Sequence, residues 1–240
     1  MKHILYKLTA AILFVAPMFN ASATTVYWNN NNGTGDRSWS VTSNWNGGAP
    51  TSADTALIMG TEWGISLMPI VSTANNYANQ IYVRAGAGLS VTAGGLLTAT
   101  DLITGQNGAS NVVDISGGGQ ITLSGILNLG VGNYDGKVNI SNGSLLANNL
   151  SINSTGGAGI NIGANGAFIA AASNLGNINY WVANNNITAN SGAAGWRINV
   201  DTTSQAGKVV VTAVPEPSTL ASLGMGLVLL VATRSLRKKS

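Results

Sequence analysis

The chain has no cysteine, and its single histidine is His3. A disulfide scaffold and a thiol nucleophile are therefore excluded. His3 falls in a leader expected to be removed, so the remaining chain can build neither a Cys/His zinc site nor a Ser-His-Asp triad. Charge is scarce: 8% of residues are Asp, Glu, Lys or Arg, where a quarter is usual. The formal net charge of +3 belongs to the chain ends, because residues 24–213 hold seven acidic and five basic side chains. The basic balance therefore gives no support for a nucleic-acid partner. Paired carboxylates for glycoside chemistry are also missing. Asp101 and Asp114 occupy different slots of the repeat described next, and no acidic cluster has a basic residue beside it. No catalytic residue, metal site or cofactor is expected, and the reading is of a protein that is not an enzyme.

What is abundant is glycine, 31 residues, together with Asn, Ser and Thr. These are placed periodically. LSVTAGGLL begins at Leu89, VDISGGGQI at Val113, VNISNGSLL at Val138 and INIGANGAF at Ile160, with starts 24, 25 and 22 residues apart. In each copy two apolar residues stand two apart: Leu89/Val91, Val113/Ile115, Val138/Ile140 and Ile160/Ile162. That spacing puts both on one face of a strand. Ser90, Asp114, Asn139 and Asn161 lie between them and should face solvent. Gly94, Gly118, Gly143 and the pair Asn165-Gly166 read as turns. Leu97, Ile121, Leu146 and Phe168 should resume the apolar face. A recurring unit of about 24 residues signals a stacked array. It has room for about three short strands and three turns, with successive units pairing in parallel. The expected fold is all-β, a single-stranded, right-handed parallel β-helix, rather than a sandwich, which has no need to repeat residue classes in fixed slots.

Outside the repeats, Met1 to Ala23 reads as a secretory signal peptide. Lys2 and Lys7 precede an apolar run, and Ala21-Ser22-Ala23 has the small-x-small form of a cleavage site. Residues 24–54 carry Trp28, Trp39 and Trp45 among Asn, Gly and Ser. They suit either a cap over the first rung or a stacking platform for sugars, the cap being the reading preferred. Asn29 to Asn32 with Asp36 offer oxygen ligands, but the spacing matches no calcium loop. Thr55–Met59, Gly64–Val71 and Gln80–Val83 read as the first strands of a body over 55–213. Asn133 to Gly136 reads as an exposed tight turn around Asp-Gly. Tyr180, Trp181 and Trp196 should close the far end, and Lys208 to Val214 should be the last strand.

The C-terminal stretch, 214–240, has three parts in order. Val214-Pro215-Glu216-Pro217-Ser218 comes first, with its two prolines holding the backbone extended and outside sheet pairing. Then comes an apolar stretch, Leu220 to Ala232, short for a membrane helix. Arg234, Arg237, Lys238 and Lys239 end the chain and should act as a stop. This arrangement resembles the PEP-CTERM sorting domain, the tail handled by exosortase in Gram-negative bacteria that make exopolysaccharide. The resemblance implies export and a transient stay at the inner membrane through the C-terminal helix. Cleavage near Pro215 to Pro217 and a final place on or outside the cell follow, with exosortase as partner. The body is similar to the Gly- and Asn-rich β-solenoid passengers of proteins with this tail and of autotransporters. The function expected is that of a non-catalytic secreted or surface protein associated with exopolysaccharide in a biofilm matrix. An adhesin or self-assembling surface subunit is the alternative, and a polysaccharide lyase or hydrolase is less favoured.

Overall fold

A computed structural model describes residues 23–30, 35–60, 64–107 and 111–217. In chain order the strands are β1 (Thr25–Trp28), β2 (Trp45–Asn46), β3 (Thr55–Met59), β4 (Ile70–Val71), β5 (Asn76–Tyr77) and β6 (Gln80–Arg84). They continue with β7 (Gly88–Val91), β8 (Leu96–Ala99), β9 (Asp101–Gln106), β10 (Asn111–Ser116), β11 (Gln120–Leu129) and β12 (Gly136–Ser141). The last are β13 (Ser144–Ile152), β14 (Gly159–Ile162), β15 (Ala167–Ala171), β16 (Ile187–Ala189), β17 (Trp196–Asp201) and β18 (Lys208–Pro215), with one helix, α1 (Leu175–Ala183), after β15.

The protein is mostly β, built from two largely parallel sheets. One has six strands in the order β16-β14-β12-β10-β7-β4, and the other has twelve. Every repeat contributes to both. Each sends its first segment to the six-stranded sheet and its next two to the twelve-stranded one, except the last, where β15 alone does so and α1 follows. β11 spans both of the latter positions, its first half pairing with β8 and its second with β9. The register shifts between Leu123 and Ile126, where the strand bends at Ser124-Gly125. Asp101 of the preceding repeat holds that bend, its Oδ1 accepting from the Ile126 backbone N–H at 2.9 Å.

The register aligns equivalent residues into columns. Leu89, Val113, Val138, Ile160 and Ile187 are paired in succession, as are Val71, Val91, Ile115, Ile140, Ile162 and Ala189. All are buried. The residues between them, Ser90, Asp114, Asn139 and Asn161, face outward, as the alternation predicts.

The structure corrects the column after the turn. Leu97, Ile121, Leu145 and Phe168 are the paired inward residues, not Leu146. In the third copy the turn is one residue shorter, with Asn142-Gly143 doing what Gly117 to Gly119 do in the second. Leu146 is displaced to the outer face opposite Thr122. The left-handed residue there is Asn142, at φ 52°, rather than Gly143.

Gly143 belongs to a different column, Gly95, Gly119, Gly143 and Gly166, where backbone passes close to the previous repeat. The residue after Gly143 donates to the Gly119 carbonyl at 3.1 Å, and the residue after Gly166 donates to the Gly143 carbonyl at 3.0 Å. A Cβ on Gly166 would lie 2.2 Å from the Ile140 carbonyl oxygen. We expect Gly166→Ala to cost about 2–3 kcal/mol by forcing successive repeats apart. Gly176→Ala in α1, where a Cβ meets nothing within 4 Å, should be neutral or stabilising by up to about 1 kcal/mol. Thermal melts of the two variants measure the contrast.

At the N-terminal end, β1 joins the large sheet in parallel with β3 and β2 flanks it antiparallel. Trp28, Trp39 and Trp45 are 1%, 1% and 4% exposed. Trp45 stands edge-on to both Trp28 and Trp39, with centroids 5.2 and 4.8 Å away. Rings so enclosed contribute to the core and offer no face to a sugar. At the other end α1 supplies buried Ile178 and Trp181, while Tyr180 is 60% exposed and does not close the core. One expected strand and one expected turn also differ. Only Ile70–Val71 of the stretch 64–71 is strand. Gly136 opens β12, opposite Asn111, instead of turning the chain, the left-handed positions lying earlier at Gly130, Gly132 and Asn133.

Candidate sorting site and outer faces

The C-terminal site is carried by β17 and β18, an antiparallel hairpin added to the large sheet through β15. Alternating valines build it: Val209 and Val211 point inward and are fully buried, while Val210 and Thr212 face out. Asp201 shapes the hairpin turn, its Oδ1 accepting from the Thr203 N–H at 2.7 Å, the Thr203 hydroxyl at 2.8 Å and the Ser204 N–H at 3.2 Å. These bonds, the one from the Thr203 backbone foremost, hold its carboxyl at a pKa of about 2.

The first residues of the sorting motif lie in this strand. Val214 is opposite Arg197 and Pro215 opposite Trp196. The Glu216 N–H then donates to the Gly195 carbonyl at 2.9 Å. The expectation that the prolines keep this stretch out of sheet pairing is corrected. Pro215 is tolerated because it ends the strand, beyond the reach of β15, which stops opposite Thr212. Pro217 is exposed and is the last described residue. Ser218, the apolar stretch Leu220 to Ala232, and Arg234, Arg237, Lys238 and Lys239 lie outside the described residues. So does Ala21, while Ala23 is described and exposed. Among the described residues no helix is long and apolar enough to cross a membrane.

Thr24, the first residue after the expected cleavage site, is anchored. Its backbone N and hydroxyl both donate to Asp54 Oδ1, at 3.2 and 2.6 Å, and Thr51 donates to Oδ2 through its N–H and hydroxyl at 3.0 and 2.5 Å. Slight burial pushes the Asp54 carboxyl up, but the four bonds outweigh it and bring the pKa from 3.8 down to about 2. A carboxylate with a lowered folded pKa stabilises above its unfolded value and loses that contribution as pH falls through the folded one. Thermal stability should therefore drop between about pH 4 and pH 2, and less steeply in Asp54→Asn, with Asp201 supplying the residual slope. Melts at intervals across that range check it.

The outer faces differ in chemistry. On the small sheet Asn139 donates to Asp114 at 2.8 Å, Asn161 to Asn139 at 3.5 Å, and the Ser191 N–H to Asn161 at 2.6 Å, a ladder running across the strands. On the large sheet, Tyr27, Leu57 and Tyr82 share one outward register position on β1, β3 and β6. Asp101 and Asp114 are not brought together: Asp101 is occupied at the bend by Ile126 and by Gln80, whose Nε2 donates to Oδ2 at 3.0 Å, and Asp114 belongs to the other sheet. Among the described residues no group of three or more His, Cys, Asp and Glu could hold a metal. Asp36 of the Asn-rich stretch caps Ser38, accepting from its N–H at 2.8 Å.

The sequence reading missed Gly195, Trp196 and Arg197 as partners of the motif. The apolar alternation of β18 implies a neighbouring strand but cannot name it. No curated protein and no solved structure matches the chain. Residues 213–238 match the family model described as the PEP-CTERM protein-sorting motif. The chain thus carries, directly after the inward valines of its last strand, a sorting motif that implies export, processing by exosortase and a surface or extracellular destination.

Proposed function

We propose that this is a non-catalytic protein exported through an N-terminal signal peptide, held briefly at the inner membrane of a Gram-negative bacterium, cut by exosortase and placed on or outside the cell. The observation that carries this reading is the sorting motif over residues 213–238. It begins in the last residues of β18 and leaves that strand at Glu216, with Pro217 exposed beside a folded body. A protease can reach such a junction without unfolding the sheet. Val214 to Ser218 are the processing motif and Arg234, Arg237, Lys238 and Lys239 the stop. Removal of the leader between Ala21-Ser22-Ala23 and Thr24 fits the anchoring of Thr24 on Asp54. The new α-ammonium would meet a carboxylate already 3.2 Å away.

The body, over residues 55–213, we read as a parallel β-solenoid of about 24-residue rungs capped by 24–54. The passage of each repeat through both largely parallel sheets supports this. Its likeness to autotransporter passengers rests on the repeat pattern. Association with exopolysaccharide in a biofilm matrix is the role we assign to it, supported by outer faces of Asn, Ser, Thr and Tyr with few charges. Intact-mass analysis of the extracellular fraction tests the sorting reading: the mature chain should run from near Thr24 to near Pro217 or Ser218. A secreted chain still ending in Lys239-Ser240 would refute it.

A further inference from the structure

We propose that the outward face of β1, β3 and β6 is a binding site for an extended β-linked polysaccharide whose repeat carries carboxylates, the chain lying across the strands. This rests on the exopolysaccharide association proposed above and names its surface. Tyr27 and Tyr82 occupy the same register position two strands apart, with Leu57 between them. Parallel strands about 4.8 Å apart place the backbones of the two tyrosines about 10 Å from each other. That separation is close to the repeat of two pyranose rings in an extended β-linked glycan, so alternate sugars can each present a C–H face to a ring. Leu57 points outward yet is only 5% exposed, whereas Tyr27 is 44% exposed. The rings thus flank an apolar floor and keep accessible surface above it.

Polar groups border that floor. Thr55 and Gln80 stand at one side in mutual register, and Arg84 at the other, around a depression of about 360 Å³. The Arg84 guanidinium lies 4.0 Å from the Met59 sulfur, and among the described residues it faces no carboxylate within ion-pair distance. A guanidinium two residues along the same face from Tyr82 is complementary to a carboxylated sugar, which it can hold through paired N–H···O bonds. The small sheet lacks this combination: its ladder carboxamides bond to one another and no aromatic ring stands in the column.

Affinity electrophoresis of the processed, secreted chain tests the site, in gels containing polymannuronate or the neutral hydroxyethylcellulose. Retardation by polymannuronate is expected, with affinity lowered about tenfold in Tyr27→Ala/Tyr82→Ala. Arg84→Gln should lower it and flatten its salt dependence, Tyr82→Phe should retain it, and Tyr180→Ala, exposed on α1, should be unchanged. Wild-type melting temperature in each variant separates lost binding from lost folding. Retardation that survives the double Tyr substitution would overturn the site while leaving glycan association standing. Retardation by the neutral polymer alone would overturn the carboxylate specificity. A correctly processed chain retarded by neither polymer would overturn the site and leave the sorting reading intact.

Discussion

Ile140→Asp should unfold the repeats or cost about 4 kcal/mol or more, while Asn139→Ser, one residue away, should cost under about 1 kcal/mol. Ile140 is fully buried in the column Val91, Ile115, Ile140 and Ile162, whose neighbours are also closed to solvent. A carboxylate there meets only aliphatic side chains and no donor, so it must take up a proton or drag water into the core. Asn139 points the opposite way and keeps part of its surface. Asn139→Asp is the poorer control, because its carboxylate would face Asp114, whose Oδ1 is 2.8 Å from the Asn139 amide. Chemical denaturation of Ile140→Asp and Asn139→Ser gives the comparison. Equal losses would mean that the inward and outward columns have been exchanged.

Replacing Pro215-Glu216-Pro217 by three alanines should abolish processing and leave a membrane-held precursor, with the body still folded. Folding should survive because the paired part of the segment relies on backbone groups. Pro215 lies opposite Trp196 at the strand end, and the Glu216 N–H reaches the Gly195 carbonyl. Alanine supplies an N–H at every one of these positions and can only extend the pairing. Processing should be lost for the same reason. The prolines end the strand at Pro215 and keep Pro217 exposed, whereas alanines would let the β17–β18 ladder run on toward the membrane. They also remove the Glu216 charge. Immunoblots of membrane and extracellular fractions should show the variant solely in the membrane, at precursor mass. A variant secreted at mature mass would mean that Val214 to Ser218 is not what the processing enzyme reads.

The sequence by itself determined the period, the two-residue spacing of inward Val, Ile and Leu, and the outward run Ser90, Asp114, Asn139 and Asn161. Each depends on neighbours within one strand, where side chains must alternate. It also determined the tail, whose three parts are contiguous and need no folding to be read. The absence of cysteine was equally plain, since no fold can supply atoms the chain lacks. The tertiary structure decided whatever depends on which distant backbone lies alongside. It chose Leu145 over Leu146, because a shorter turn is invisible until the ladder fixes how many residues it consumes. It turned Trp28, Trp39 and Trp45 inward onto one another, a choice between cap and platform that composition leaves open. The spacing of Leu175, Ile178 and Trp181 was available as a helix signal, but in an Asn-rich stretch it stands out only once α1 packs Ile178 and Trp181 into the core. It drew Val214 and Pro215 into pairing with Trp196 and Arg197. And it set Tyr27 beside Tyr82 across Leu57, three residues that share nothing in sequence and meet only because parallel strands stack equivalent positions at a fixed spacing.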